Sequence, residues 1–159
     1  MGKTMRVASV QLKVIEESKE KALNHASWMI RKCQGADLIL LPELWNIGFM
    51  SFDRYREEAE TQEGPTLTLL RTLAKELSCH LHTGSFVERR GNRFYNSSFL
   101  LNPKGEILEN YKKIHLFTYQ SQEAEILTPG TSVAVIATEF GHFGLATCYD
   151  LRFPELFRK

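Results

Sequence analysis

Ala36-Asp37-Leu38-Ile39-Leu40-Leu41-Pro42 is a short, nearly unbroken apolar run closed by a proline. Too brief for a helix and without polar alternation, it has the pattern of a central parallel strand covered on both faces, with Pro42 as its stop. Upstream, residues 6–12 (RVASVQL) alternate like a strand. Ser18 stands as the N-cap of a helix running to Gln34, where Gly35 supplies the stop. Within that helix Ala22, Ala26, Met29 and Cys33 recur at spacings of four, three and four, so they share one face and are expected to face the core. Strand, helix, strand in this order predicts a right-handed crossover unit.

Working outward, residues 43–53 read as a loop carrying Trp45, Phe49 and Phe52, and with Tyr55 these aromatics either line an entrance or pack on their own domain. A second helix follows Gly64-Pro65, with Leu67, Leu70, Ala74 and Leu77 on one side. From His80 the period turns to alternation: residues 80–88 and 94–101 flank Gly91-Asn92 in a predicted hairpin. Asn102-Pro103-Lys104-Gly105 is a further turn, residues 106–116 continue extended, and a polar loop over 118–129 leads to strands at 133–138 and 143–147. The class is α/β with a mostly β second half, in one domain spanning 1–159.

Composition limits the partners. Twenty basic against nineteen acidic side chains leave +1, so no global field gathers nucleic acid or anionic lipid. The apolar run of residues 38–42 is far below the roughly 18 residues of a membrane span. Met1-Gly2 resembles a myristoylation start, but Arg6 stands where that signal needs Ser or Thr. The expected location is the cytoplasm. Three cysteines, Cys33, Cys79 and Cys148, without a CxxC pair argue against a disulfide framework or a zinc knuckle. His80 and His82 share a strand face but lack an obvious third ligand, so no metal is expected.

Glu43, Lys113 and Cys148 all fall where strands are predicted to end, the place where open α/β sheets build sites. A carboxylate that takes a thiol proton, a nucleophilic thiol and an ammonium that steadies an oxyanion form a sensible set. Taken singly, each has a plainer reading: a small buried hydrophobe, a solvated carboxylate and a surface cation.

Together, the segments LILLPELW with Glu43, YKKIHLF with Lys113 and GLATCYDLRFPEL with Cys148 resemble the nitrilase superfamily of carbon-nitrogen hydrolases. The resemblance runs from about Arg6 to the last residue and implies an α-β-β-α sandwich. It also implies a Glu-Lys-Cys triad: Glu43 the general base, Cys148 the nucleophile, Lys113 and the Tyr149 N–H the oxyanion donors. Glu123 would position substrate or Lys113, with Glu125 as its alternative. Asp150 and Arg152 would pair to brace the turn after Cys148, while Tyr111 and His115 flank the lysine. On this reading Cys148 has a lowered pKa and alkylates faster than Cys33 or Cys79.

The implied activity is hydrolysis of an amide in a small carboxylic or α-keto acid through a Cys thioester, releasing ammonia, without cofactor and in a homo-oligomer. Three alternatives stand beside it: another branch (N-carbamoyl amidase or nitrilase), a Cys148/His115 hydrolase, and a non-catalytic assembly module. A helix opened at Pro154 and left after barely a turn marks the chain as an expected N-terminal portion of the domain, its sandwich C-terminally incomplete.

Overall fold

The computed structural model describes residues 4–13 and 18–158, so the Met1-Gly2 reading lies outside the described residues. Three short parallel strands, β1 (Val7–Ser9), β2 (Leu38–Leu40) and β3 (His80–His82), lie side by side in that order. Helices α1 (Lys19–Arg31) and α2 (Pro65–Leu77) connect them. Ser18 caps α1 through its hydroxyl, which accepts from the Lys21 N–H, and Pro65 begins α2.

A longer antiparallel strand, β5 (Arg93–Leu101), extends the sheet. On one edge it pairs with β3 and β4 (Phe86–Arg90), and on the other with β6 (Ile107–Lys112). A separate hairpin, β7 (Ala134–Thr138) and β8 (Gly141–Leu145), forms a second, two-stranded sheet.

The two faces of β2 explain its apolar run. Ile39 joins Ala26, Ile30, Leu67, Leu70 and Phe99 in a core between the large sheet and the helices. Leu38 joins Leu100, Tyr111, Ala134 and Leu145 in a core between the two sheets. The described residues therefore stack as helix layer, sheet and sheet, three layers of the expected α-β-β-α sandwich. After β8 they hold only a 3-10 turn, Cys148–Arg152, and the single turn α3 (Pro154–Phe157).

Several expected boundaries move. Helix α1 ends at Arg31, and its most buried apolar positions are Ala26 and Ile30, with Ala22 less buried. The loop over 118–129 contains a one-turn helix, Glu123–Ile126. The largest change is the strand expected over 80–88, which is cut into β3 and β4 around Gly84. That glycine has φ +61°, and a Cβ there would sit 2.0 Å from the Pro42 carbonyl oxygen. The Leu41 N–H donates to His82 O and the Ser85 N–H to Pro42 O, so the break lets the end of β2 lie tightly against this segment. Glu43 is the next residue. No helix among the described residues is long and apolar enough to cross a membrane.

Gly84→Ala combines a left-handed backbone with a backbone clash and is expected to destabilise the fold by roughly 3 kcal/mol. Urea unfolding checks this; a loss below about 0.5 kcal/mol, the scale of an inert surface change, would contradict the role given to the break.

Candidate active site

Glu43 leaves β2 just beyond Pro42, and its neighbour Leu44 adopts the left-handed region (φ 46°), buried and held by its N–H donating to Ser85 Oγ at 3.1 Å. The turn points the Glu43 carboxylate at the end of β6. There Lys113 Nζ donates to Glu43 Oε1 at 2.7 Å and to Glu123 Oε1 and Oε2 at 3.1 and 3.0 Å. The Lys113 and Glu123 side chains have no exposure to solvent. Burial alone would lower the lysine pKa, but the two carboxylates outweigh it and hold the ammonium above its ordinary value.

Glu123, not Glu125, is the buried second carboxylate; Glu125 faces solvent. Glu123 Oε2 also accepts the Phe117 N–H at 2.7 Å, which fixes the loop beyond the lysine. Asn96 on β5 is a component that sequence reasoning missed: Nδ2 donates at 2.8 Å to both Glu43 Oε1 and Glu123 Oε1. A signal existed in β5, where Asn96-Ser97-Ser98 interrupts an otherwise apolar strand and is completely buried. Buried polar residues need partners.

Cys148 begins the 3-10 turn with φ 47°, a strained conformation for a residue with a Cβ. Its thiol is hydrogen-bonded to Glu43. Partial burial, then the charge and hydrogen bond of Glu43, push the thiol pKa up to about 11 against the opposing pull of Lys113. This corrects the expected lowered pKa: at rest Cys148 is a thiol with the Glu43 carboxylate beside it. Cys79 is raised to a similar value by burial in the core. What separates Cys148 from it is solvent exposure and Glu43, not acidity. The Tyr149 N–H lies in the first turn of the 3-10 helix, where backbone donors have no intrahelical acceptor.

A cavity of about 320 Å³ opens over the sulfur, lined by Glu43, Phe49, Phe117, Cys148, Tyr149, Leu151 and Arg152. Of the four aromatics considered for an entrance, only Phe49 is on its wall. Trp45 and Tyr55 are buried, donating to Thr83 O at 2.9 Å and Phe49 O at 2.6 Å. The expected Asp150–Arg152 pairing is also corrected. Asp150 is buried and accepts from Tyr111, His115 and Thr147, while exposed Arg152 turns to the cavity. With Nδ1 on Asp150 and its ring stacked 3.6 Å from Phe153, His115 is off the cavity wall. Among the described residues, Glu43 is the carboxylate whose hydrogen bond acts on the thiol. No group of three His, Cys, Asp or Glu able to hold a metal exists among the described residues; His80 pairs with Glu139.

Residues 6–159 match the carbon-nitrogen hydrolase family. The chain is 35% identical over 161 residues to the 2-oxoglutaramate amidase of Paenarthrobacter nicotinovorans, covering 96% of this chain and 55% of that protein. It is 36% identical over 163 residues to the omega-amidase NIT2 of Bos taurus, covering 96% and 58%. The crystal structure of Saccharomyces cerevisiae Nit3, a member of branch 10 of the nitrilase superfamily, superposes with a TM-score of 0.86 at 32% identity, covering 96% of this chain and 58% of that one. The chain thus spans about half the length of the relatives it matches.

Because Glu43 raises the thiol through both charge and hydrogen bond, Glu43→Gln is expected to lower the Cys148 pKa from about 11. The variant's iodoacetamide alkylation profile should therefore move to lower pH, while the profiles of Cys33 and Cys79 stay in place. A Cys148 profile that does not move would rule out the contact.

Proposed function

This chain belongs to the carbon-nitrogen hydrolase family, and from that premise we propose that its Glu43–Lys113–Cys148 cluster hydrolyses the amide of a small carboxylic or α-keto acid, releasing ammonia. The observation that carries the reading is the Glu43 carboxylate, fixed 2.7 Å from a buried ammonium and acting by charge and hydrogen bond on a solvent-accessible thiol at the cavity.

In the proposed cycle Glu43 takes the thiol proton as Cys148 Sγ attacks the amide carbon. A thiol near pKa 11 is a poor nucleophile at neutral pH until its proton is removed, so deprotonation and attack belong to one step. The negative charge that develops on the carbonyl oxygen is met by the Tyr149 N–H and by the Lys113 ammonium, whose resting hydrogen bonds go to Glu43 and Glu123. Collapse of the tetrahedral adduct breaks the C–N bond, and ammonia leaves with the proton held by Glu43. Water then gives a proton to Glu43 and attacks the thioester; the acid departs and the proton returns to sulfur. Glu123 and Asn96 act on Glu43 and Lys113 by holding them. No organic cofactor or metal enters this scheme.

The wall of the cavity supports a substrate class. Phe49 and Phe117 offer apolar flanks, and Arg152 is the only cation among the lining residues. A short acid with an amide at one end and a carboxylate at the other would place its carboxylate on Arg152, the chemistry of an omega-amide such as 2-oxoglutaramate. The relatives named 2-oxoglutaramate amidase and omega-amidase support the same choice. We take the working enzyme to be cytoplasmic and self-associating.

Ammonia release from 2-oxoglutaramate, an N-carbamoyl amino acid and a nitrile tests the branch; the reading expects the first alone to turn over well. Cys148→Ala should abolish turnover, and Glu43→Gln should lower kcat by roughly 100-fold or more. Undiminished activity in either variant would end the proposal. Arg152→Leu is expected to weaken kcat/KM for the carboxylate-bearing amide by roughly tenfold or more through loss of a charged hydrogen bond, leaving a neutral aliphatic amide unaffected. Equal losses on both substrates would remove Arg152 from carboxylate recognition.

A further inference from the structure

We propose that Asp150 is a positioning residue that locks the turn carrying Cys148 to the segment carrying Lys113, and thereby sets the direction of the thiol relative to Glu43. The proposal rests on the reading of Cys148 as the nucleophile and adds a residue that does not itself touch substrate.

The Asp150 side chain is completely buried, and each of its oxygens accepts two hydrogen bonds. Oδ2 takes the Tyr111 hydroxyl at 2.6 Å and the Thr147 N–H at 2.9 Å. Oδ1 takes the His115 N–H at 3.0 Å and His115 Nδ1 at 2.7 Å. The donors are not drawn from the general scaffold. Thr147 immediately precedes Cys148, while Tyr111 and His115 stand two residues before and two residues after Lys113. One carboxylate thus grips both sides of the lysine and the base of the nucleophile turn. Since a carboxylate only accepts, His115 must carry a proton on Nδ1, which fixes its tautomer.

Two further contacts close the same loop. The His115 ring stacks on Phe153, 3.6 Å between centroids and 6° from parallel, and Phe153 packs edge-on to Tyr149. The segment past the nucleophile is therefore held against the segment past the lysine. Cys148 needs such a grip. Its φ of 47° is unfavourable for a residue with a Cβ and persists only where surrounding contacts over-determine it. If the turn relaxed, the sulfur would swing away from Glu43, and an error on the order of 1 Å between reacting groups lowers a rate roughly 100-fold.

Substitution by Asn is instructive because it preserves shape. An amide can present its oxygen to one pair of donors but must turn its NH2 toward the other, so half of the grip becomes a donor facing donors. Tyr111→Phe is gentler and deletes a single hydroxyl.

The test uses the protein in its native full-length form, with the acyl burst on Cys148 counting competent sites and thermal melting following the fold. Asp150→Asn is expected to lower kcat per titrated site by roughly 100-fold with KM essentially unchanged, and Tyr111→Phe to lower it by about tenfold, the weight of one hydrogen bond. Asp150→Glu should not rescue, because its longer side chain displaces the turn. Wild-type kcat per titrated site in both variants, or parallel changes in kcat and KM, would overturn the positioning role. A fall in melting temperature and burst amplitude with unaltered kcat per site would reduce Asp150 to scaffold and also overturn it. Should Asp150→Asn fail to fold, Tyr111→Phe decides by the same criteria. A Cys148→Ala protein that turns over at the wild-type rate would refute the nucleophile reading itself, a result distinct from each of these.

Discussion

The structure is organised around one buried ammonium. Lys113 has no solvent contact and would be strongly unfavourable there alone, since desolvating an isolated cation opposes folding by several kcal/mol. Glu43 and Glu123 make it tolerable, and each comes from a different part of the chain: one from the end of β2, the other from the one-turn helix after the lysine. Asn96 from β5 ties both carboxylates together. The raised lysine pKa has a defined sign for stability. The lysine's contribution is present throughout neutral pH and is lost on the alkaline side as pH rises through the ordinary lysine value and then the higher folded one. Partial burial, reinforced by the charge and hydrogen bond of Glu43 and opposed by Lys113, keeps the Cys148 thiol protonated at rest.

That resting state gives a coherent division of labour. An acidic thiol would already be a thiolate, stabilised by its surroundings and correspondingly less nucleophilic. In the proposed cycle the proton stays on sulfur until an amide carbon is available, and Glu43 removes it during attack. The strain at Cys148 and the left-handed Leu44 lie on the two segments that meet at this contact. Backbone strain on both sides of the meeting point is a common mark of geometry held for function.

Much of the architecture was legible in local sequence because its signals are local. The apolar run ending at Pro42, the Ser18 cap and the Gly64-Pro65 start each report on a few neighbouring residues, and strand, helix, strand followed from them. The break at Gly84 was not legible, because its cause is the Pro42 carbonyl, a contact across the fold. The site divides in the same way. Glu43, Lys113, Glu123 and Cys148 stand together, and Asp150 and Arg152 are near them with partners different from those expected. Adjacent charges in sequence suggested a pair, but a turn of 3-10 helix sends the two side chains apart, Asp150 inward and Arg152 toward the cavity. Asn96 belongs to no motif; only the burden of burying Asn-Ser-Ser in β5 could have exposed it.

The central claim is that Cys148 forms a covalent acyl intermediate with Glu43 as its base. Acid quenching during turnover of 2-oxoglutaramate, followed by mass analysis of the peptide containing Cys148, addresses it directly. The account predicts an adduct on Cys148 equal in mass to the acyl group left after ammonia is lost. Ammonia release while Cys148 stays unmodified at every quench time would contradict it.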